Sequence, residues 1–268
     1  MDATPPIAWQ PFTPRGVAAF AQGTLRRLLL VQLVVALLVA LAVVWFLSDG
    51  YFPVVSKVIA QLPATGEVSG GRLTWAGDTP VLLAENRLLA VSVDLEESAK
   101  IRSAAHVQVE LGRTHLFVRS LFGYLAVNYP TGWRIAANRE ELQPLWGAWR
   151  PAILAGALVS VVLGLFATWF GLATLWAGPV WLFSFYLNRE INLRGSWRLC
   201  GAALMPGALL MVGALSFYDL GVMDLVQLTF VFGVHLVVGW VYLAVSPFFL
   251  PRVSVVEPGT KNPFAAKK

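Results

Sequence analysis

The sequence predicts an α-helical membrane protein: four transmembrane helices, with a small extracytoplasmic β-rich (α+β) domain inserted between the first two. Hydrophobic residues make up 57% of the 268 residues and charged residues only 13%, against about 45–50% and 25% in soluble domains. The apolar residues collect in a few long runs, and the segment after the first run has an ordinary soluble composition. This distribution disfavours both a soluble enzyme and a disordered chain.

The first predicted span covers residues 28–47, and Gln32 is its only polar member. A helix of that length rises about 30 Å, which matches the hydrocarbon core of a bilayer. We interpret the run as an uncleaved anchor, with residues 1–27 as a cytoplasmic segment before it. A signal peptide is disfavoured, because the run exceeds a typical h-region and no small-residue cleavage pattern follows it.

The extracytoplasmic domain is predicted over residues 48–150. Apolar residues at helical spacing over 53–62 indicate a short amphipathic helix near the membrane. Asn138 is followed three residues later by Glu141, a spacing typical of a capping box that opens a helix. We expect two prolines, Pro144 and Pro151, to interrupt that helix.

Between these helices the hydrophobic period changes to two, which is typical of strands buried on one face. Turn residues separate the alternating runs, and Gly112-Arg113 predicts a two-residue hairpin turn with a positive φ at the glycine. The pattern predicts an antiparallel meander with strands near 67–75, 80–84, 88–95, 105–111 and 114–119.

Residues 151–187 form an uncharged run that is too long for one straight crossing and leaves almost no loop for two. We interpret this run as one tilted span whose end, beyond Gly178-Pro179, is a kinked continuation or an interfacial segment. The remaining predicted segments are a cytoplasmic loop (188–198), the third span (199–217), an extracytoplasmic loop (218–224), the fourth span (225–245) and a disordered cytoplasmic tail (246–268).

Charge orients these spans. Residues 1–27, 188–198 and 246–268 together contain ten Lys or Arg and three Asp or Glu, whereas 218–224 contains two Asp and no cation. The segment 48–150 is balanced, with ten charges of each sign. Because Lys and Arg near span ends favour the cytoplasm, both termini are predicted to be cytoplasmic. Splitting 151–187 into two spans would break this pattern.

Two intramembrane features stand out. Small residues recur every fourth position on one face of the second span, which favours close helix packing in lipid; they are Ala152, Gly156, Ser160, Gly164 and Thr168. A shorter version, Ala203 and Gly207, flanks Pro206 in the third span. The fourth span contains His235, an ionisable group that is costly in lipid. We expect a structural role for His235, bonded to a carbonyl, Gln227 or Thr229; proton relay or ligand binding is the alternative.

Motifs for catalysis and for cofactor binding are absent from the sequence: it has no phosphate loop, nucleophile elbow or paired-cysteine motif. We therefore predict no catalytic, cofactor or metal site and no nucleic-acid partner. His106, His115 and the carboxylates of Asp94, Glu96 and Glu97 are expected to be solvated. The three arginines of the loop, Arg189, Arg194 and Arg198, are explained by attraction to an anionic leaflet.

Three stretches of the C-terminal half carry a family resemblance: Gly-Ser-Trp-Arg-Leu at 195–199, Ala-Ala-Leu-Met-Pro-Gly at 202–207 and Trp-Val-Tyr-Leu at 240–243. With these, the region from Arg189 to Pro247 resembles bacterial multi-pass membrane proteins of the Yip-like families. It also resembles multi-pass proteins encoded beside maltodextrin-utilisation genes. These families have no settled activity, so the resemblance implies a topology and no functional residue.

Together these features predict a non-enzymatic, multi-pass protein of the bacterial inner membrane. Its extracytoplasmic domain is expected to bind a membrane or periplasmic protein, an envelope component or a second copy. The alternative is a transporter or permease component, in which Gly178-Pro179 and Pro206 mark broken helices that line a path.

Overall fold

The computed structural model describes residues 10–98 and 100–253. Its helices are α1 (Pro14–Ala19), α2 (Leu25–Phe46), α3 (Phe52–Gln61), α4 (Arg139–Tyr186), α5 (Leu193–Ala203), α6 (Met205–Asp219) and α7 (Leu225–Val245). The strands are β1 (Gly66–Ser69), β2 (Arg72–Trp75), β3 (Val81–Glu85), β4 (Leu89–Val93), β5 (Val107–Leu111), β6 (His115–Ser120), β7 (Gly123–Asn128) and β8 (Ile135–Ala136).

Within the described ranges, four helical segments are long and apolar enough to cross a membrane: Leu25–Gln61, Arg139–Tyr186, Leu193–Asp219 and Leu225–Phe249. The first joins α2 to α3 through a π-helical turn at Leu47–Tyr51. The prediction of four long apolar helices combined with a β-rich part is confirmed at this level. The predicted short helix over 53–62 is also present, as α3.

Helix α4 corrects the predicted interruptions. It runs unbroken for 48 residues through Pro144, Pro151 and Gly178-Pro179, about 72 Å at the usual helical rise. It begins at Arg139, where the Asn138 side chain accepts a hydrogen bond from the Glu141 amide at 2.9 Å. The predicted capping box is therefore confirmed, and the predicted interruptions at Pro144 and Pro151 are wrong. Beyond Gly178-Pro179 the helix continues, which is one of the two alternatives expected there, and a kink at that point stays a prediction.

Packing explains why α4 continues past Pro179. The buried residues of its second half follow one another at intervals of three or four, so they form one stripe along the helix that passes Pro179; they are Trp169, Ala173, Ala177, Val180 and Ser184. Each proline removes one backbone hydrogen bond. A stripe buried on both sides of Pro179 stabilises the helix against that loss.

The third apolar run is two helices instead of one. Helix α5 begins at Leu193, inside the predicted loop, because the Asn192 side chain caps it through the Gly195 amide at 2.7 Å. The helix is interrupted at Leu204 before α6. Pro206 lacks the amide that would bond the Ala202 carbonyl, which accounts for the interruption.

The strands form two sheets, in the orders β2-β1-β8 and β3-β4-β5-β6-β7. The predicted meander is wrong at one step, because β4 and β5 pair in parallel. The predicted strand 67–75 is a hairpin, β1-β2, because Gly70 and Gly71 turn the chain with positive φ. Gly112 has no positive φ; Arg113 and Thr114 form that turn instead. Strands β7 and β8 were not predicted.

Helix α3 covers the larger sheet on one face. Val54 and Leu62 pack with buried residues of β3 and β4, among them Leu83 and Val91. Burial then falls across the sheet: all of β4 is buried, β5 alternates, β6 is half-buried and all of β7 is exposed. The apolar core therefore lies under α3 at one side of the sheet.

The chain divides into two compact units. One comprises Met1–Val35, Leu165–Leu210 and Gly233–Lys268, and the other comprises Ala36–Gly164 and Met211–Phe232. The predicted disordered tail begins with a 3₁₀ turn, Ser246–Phe249, and Arg252 forms a β-bridge with Arg189. The part of that tail beyond Val253 lies outside the described residues.

Candidate binding surface

The outer edge of the larger sheet is strand β7. Within the described residues it pairs only with β6, from His115↔Asn128 to Ser120↔Gly123. All six of its residues are exposed, and Leu121 and Phe122 at the hairpin tip are exposed as well. An open, apolar edge strand of this kind is a template for pairing with another strand.

Along β7, the backbone amides and carbonyls of successive residues point alternately toward β6 and away from it. The Tyr129 amide donates to the Thr114 carbonyl at 3.1 Å, so the pair at positions 114 and 129 is hydrogen-bonded. Bonded and non-bonded pairs alternate in an antiparallel ladder. Counting back along the register, Tyr124, Ala126 and Asn128 direct their amides and carbonyls away from β6.

The core face of the sheet also continues onto β7 without cover. Val91, Val109, Val118 and Leu125 are cross-strand partners in succession, so their side chains share one face. Leu125 at the end of this row is 61% exposed, and Val127 on the same face is 44% exposed. Burying these two side chains would stabilise a complex by roughly 1 kcal/mol each.

The opposite face of the sheet has an ion pair whose carboxylate is buried. The Glu110 side chain is almost fully buried, and the Arg119 guanidinium donates to both of its carboxylate oxygens, at 2.7 and 3.3 Å. Arg119 lies opposite Tyr124 in the register. This ion pair joins β5 to β6, and β6 is the strand that pairs with β7.

Strand β3, the other edge, differs from β7. It follows Pro80, and its register with β4 shifts between Leu82 and Ala84. Prolines and bulges are devices that block further strand pairing. Of the two edges of this sheet, β7 is therefore the one suited to accept a further strand.

The turn between β3 and β4 docks on the end of α6. Arg87 donates to the backbone carbonyls of Tyr218 and Asp219, and it lies 5.3 Å from the centre of the Tyr218 ring. A cation that bonds the last carbonyls of a helix also interacts favourably with its dipole. The Asn86 side-chain amide donates to the Gly50 carbonyl at 2.6 Å, so the turn is held at two points.

His106 takes part in the same contact, which contradicts the prediction that it is solvated. Its Nδ1 lies 2.5 Å from the Tyr218 hydroxyl, and the two rings stack. Burial lowers the pKa of His106, and the charge of Arg87 lowers it further, while Asp224 opposes the shift. No local pattern could predict this site, because His106 and Tyr218 are 112 residues apart.

Two other predictions of solvated groups have different outcomes. Asp94 is buried: it accepts a hydrogen bond from the Ser98 hydroxyl at 2.8 Å and one from the Glu96 amide at 3.2 Å, so it shapes its own loop. His115 is half-buried, stacks on Phe117 and contacts the Thr114 hydroxyl. In the described residues, no three His, Cys, Asp or Glu side chains gather as metal ligands.

The predicted helix-packing seam lies along one exposed side of α4. All five members, Ala152, Gly156, Ser160, Gly164 and Thr168, are exposed. A Cβ added at Gly156 or Gly164 would meet no atom within 4 Å outside the local helix. In the part of the chain that the structure describes, the seam is exposed, and its use by a partner stays a prediction.

The shorter seam in the third apolar run does join helices. A Cβ at Gly207 would lie 2.6 Å from the backbone carbonyl oxygen of His235 on α7. Only glycine permits this approach of α6 to α7. His235 is half-buried at this crossing. The Thr229 hydroxyl donates to the Leu225 carbonyl, and the Gln227 side chain accepts a hydrogen bond from the Asp224 backbone amide at the start of α7.

The described residues thus define a class: a protein with four helical segments long and apolar enough to span a membrane, together with separate β-sheets. Comparisons with protein-family models, curated proteins and solved structures find no match to this chain. The resemblance of the region from Arg189 to Pro247 to Yip-like and maltodextrin-associated membrane proteins stays a prediction.

Proposed function

We propose that this chain is a non-enzymatic, multi-pass protein of the bacterial inner membrane. In this proposal its β-rich domain binds an extended strand of a partner polypeptide along β7. The observation that carries the proposal is the open edge of β7, with all six residues exposed. Strand addition uses backbone hydrogen bonds for affinity and alternate side chains for specificity.

The membrane placement is supported by four apolar helical segments and by the distribution of charge. The segments 1–27, 188–198 and 246–268 hold most of the excess Lys and Arg, which favours a cytoplasmic position for them. The segment with the sheets, 48–150, is balanced in charge and is assigned to the opposite side.

A photoreactive benzophenone residue at Tyr124 tests strand binding in membranes that contain the full chain. Tyr124 is 77% exposed and its backbone faces the proposed partner. We expect crosslinks to a polypeptide from this position, and none from the same probe at the exposed Lys57 on α3.

Proline substitution separates strand pairing from general stickiness. Ala126→Pro removes an outward amide that the fold does not use, and proline is tolerated on edge strands. We expect Ala126→Pro to abolish the crosslink, while Ala126→Thr retains the amide and the crosslink. Persistence of the crosslink in Ala126→Pro, or probe attachment to lipid alone, would contradict strand binding.

The transporter alternative has one observation in its favour, the interruption between α5 and α6 at Leu204. The second expected break is missing, because α4 is continuous through Gly178-Pro179. Solute uptake in a strain that lacks the chain tests this alternative: it requires a defect that the intact chain restores.

A further inference from the structure

A groove opens between α2, α4 and α5, and all of its lining residues belong to one of the two compact units. Its volume is about 760 Å³. Most of its wall is apolar, and its lining includes Leu25, Ala177, Leu193, Arg194, Trp197 and Arg198. A groove of this size accommodates part of an elongated ligand.

Two arginines, one helical turn apart on α5, line the same groove. Arg194 is exposed in the first turn of the helix. Arg198 donates to the Ala21 carbonyl at 2.6 Å, while its Nε is buried with no hydrogen-bond partner. Among the described residues, neither guanidinium lies within 4.0 Å of a carboxylate. The groove therefore has two positive charges without an acidic partner.

Trp197 is fixed as a wall of this groove. Its indole Nε1 donates to the Thr174 hydroxyl at 3.0 Å, and its ring meets Phe170 edge to face at 5.6 Å. Leu193 continues the apolar surface and is 56% exposed. Trp and Arg at a span end are the residue types that meet lipid headgroups and the upper acyl chain.

We propose that this groove binds one anionic phospholipid, with its phosphate at Arg194 and Arg198 and an acyl chain along Trp197, Leu193 and Leu25. Charge complementarity favours an anion, and the apolar walls favour an amphiphile over a free anion. Arginine suits phosphate because its planar donors bind two oxygens together. This inference rests on the proposed membrane placement.

Native mass spectrometry of the full chain in mild detergent tests the site, with phosphatidylglycerol and phosphatidylcholine as probes. We expect one retained phosphatidylglycerol, preferred over phosphatidylcholine by about tenfold. Both lipids carry the phosphate, but the two arginines repel the choline cation of phosphatidylcholine. Arg194→Gln should remove this preference. Arg194 is exposed at the helix end, so the fold should persist, with an unchanged size-exclusion profile.

The matched control is Arg26→Gln, which removes an exposed charge just beside Leu25 but outside the groove. It should retain the preference. Equal binding of both lipids, an equal loss in both variants, or displacement of the lipid by millimolar inorganic phosphate would overturn the proposal. Alkaline carbonate extraction separates the two levels: release from membranes refutes the placement itself, whereas retention without lipid preference refutes only this site.

Discussion

At the scale of single residues, the contact of His106 with Tyr218 and Arg87 couples stability to pH. The pKa of His106 is lowered by burial first and by Arg87 second. The unfolded chain therefore binds a proton more readily than the folded chain once the pH falls below about 6.5. The contribution of neutral His106 to stability is present above that pH and is lost as the pH falls through the unfolded and then the folded pKa.

We expect the unfolding temperature of the detergent-solubilised chain to decrease as the pH is lowered from 7 to 5. Tryptophan fluorescence measures this unfolding temperature. His106→Gln cannot take up the proton, so its unfolding temperature should fall less over the same interval. An identical pH dependence in the wild type and in His106→Gln would show that the Tyr218 contact does not couple stability to pH.

Residue types predicted some of these contacts and missed others. The capping box could be predicted from the sequence, because Asn138 and Glu141 are three residues apart and their hydrogen bond is local. Contacts between residues far apart in the sequence could not be predicted. The partners of His106 and Arg87 depend on where α6 ends. Asp94 was misjudged because its burial depends on Ser98 and the loop backbone around it.

At the scale of elements, the contact of α6 with α7 depends on Gly207. Gly207→Ala places a Cβ 2.6 Å from the His235 carbonyl oxygen, so the helices must separate. We expect a loss of about 1–3 kcal/mol of stability from this overpacking, measured by chemical unfolding in detergent micelles.

Gly213 is the matched control on the same helix. A Cβ added there meets no atom within 4 Å outside the local helix, and alanine favours a helix by about 1 kcal/mol over glycine. Gly213→Ala should therefore be neutral or stabilising. If Gly207→Ala behaves in the same way, the close contact with α7 is not a constraint on the fold.

Hydrophobic runs predicted the long helices correctly. Helix-breaking residues such as proline led to wrong predictions of where those helices end. Pro144, Pro151 and Pro179 are strong breakers in isolation, but contacts such as the Trp146 indole to the Ser56 hydroxyl at 2.9 Å hold α4 together. Strand β7 was missed because its turn, Leu121-Phe122, lacks the usual turn residues. The parallel β4–β5 pair was missed because strand patterns do not encode pairing direction.

At the scale of the whole molecule, the fold class follows from composition, but the binding surface does not. An edge is a property of the completed sheet. Strand β7 is open because it is the last strand in the order β3-β4-β5-β6-β7. Likewise, Arg194 and Arg198 read as orienting charges in the sequence, and the groove beside them exists only once α2, α4 and α5 are assembled.

Membrane topology is the property on which both proposals depend, and single-cysteine labelling tests it. The one native cysteine, Cys200, is fully buried and should not react in the folded chain; a Cys200→Ser background removes it. In that background we expect Lys100→Cys to react with a membrane-impermeant maleimide from the extracytoplasmic side. Gln22→Cys should react only after the membrane is permeabilised, because the Lys and Arg of the terminal segments favour the cytoplasm. Labelling of both positions from one side would reverse or cancel the predicted orientation and remove the strand-binding domain from its proposed compartment.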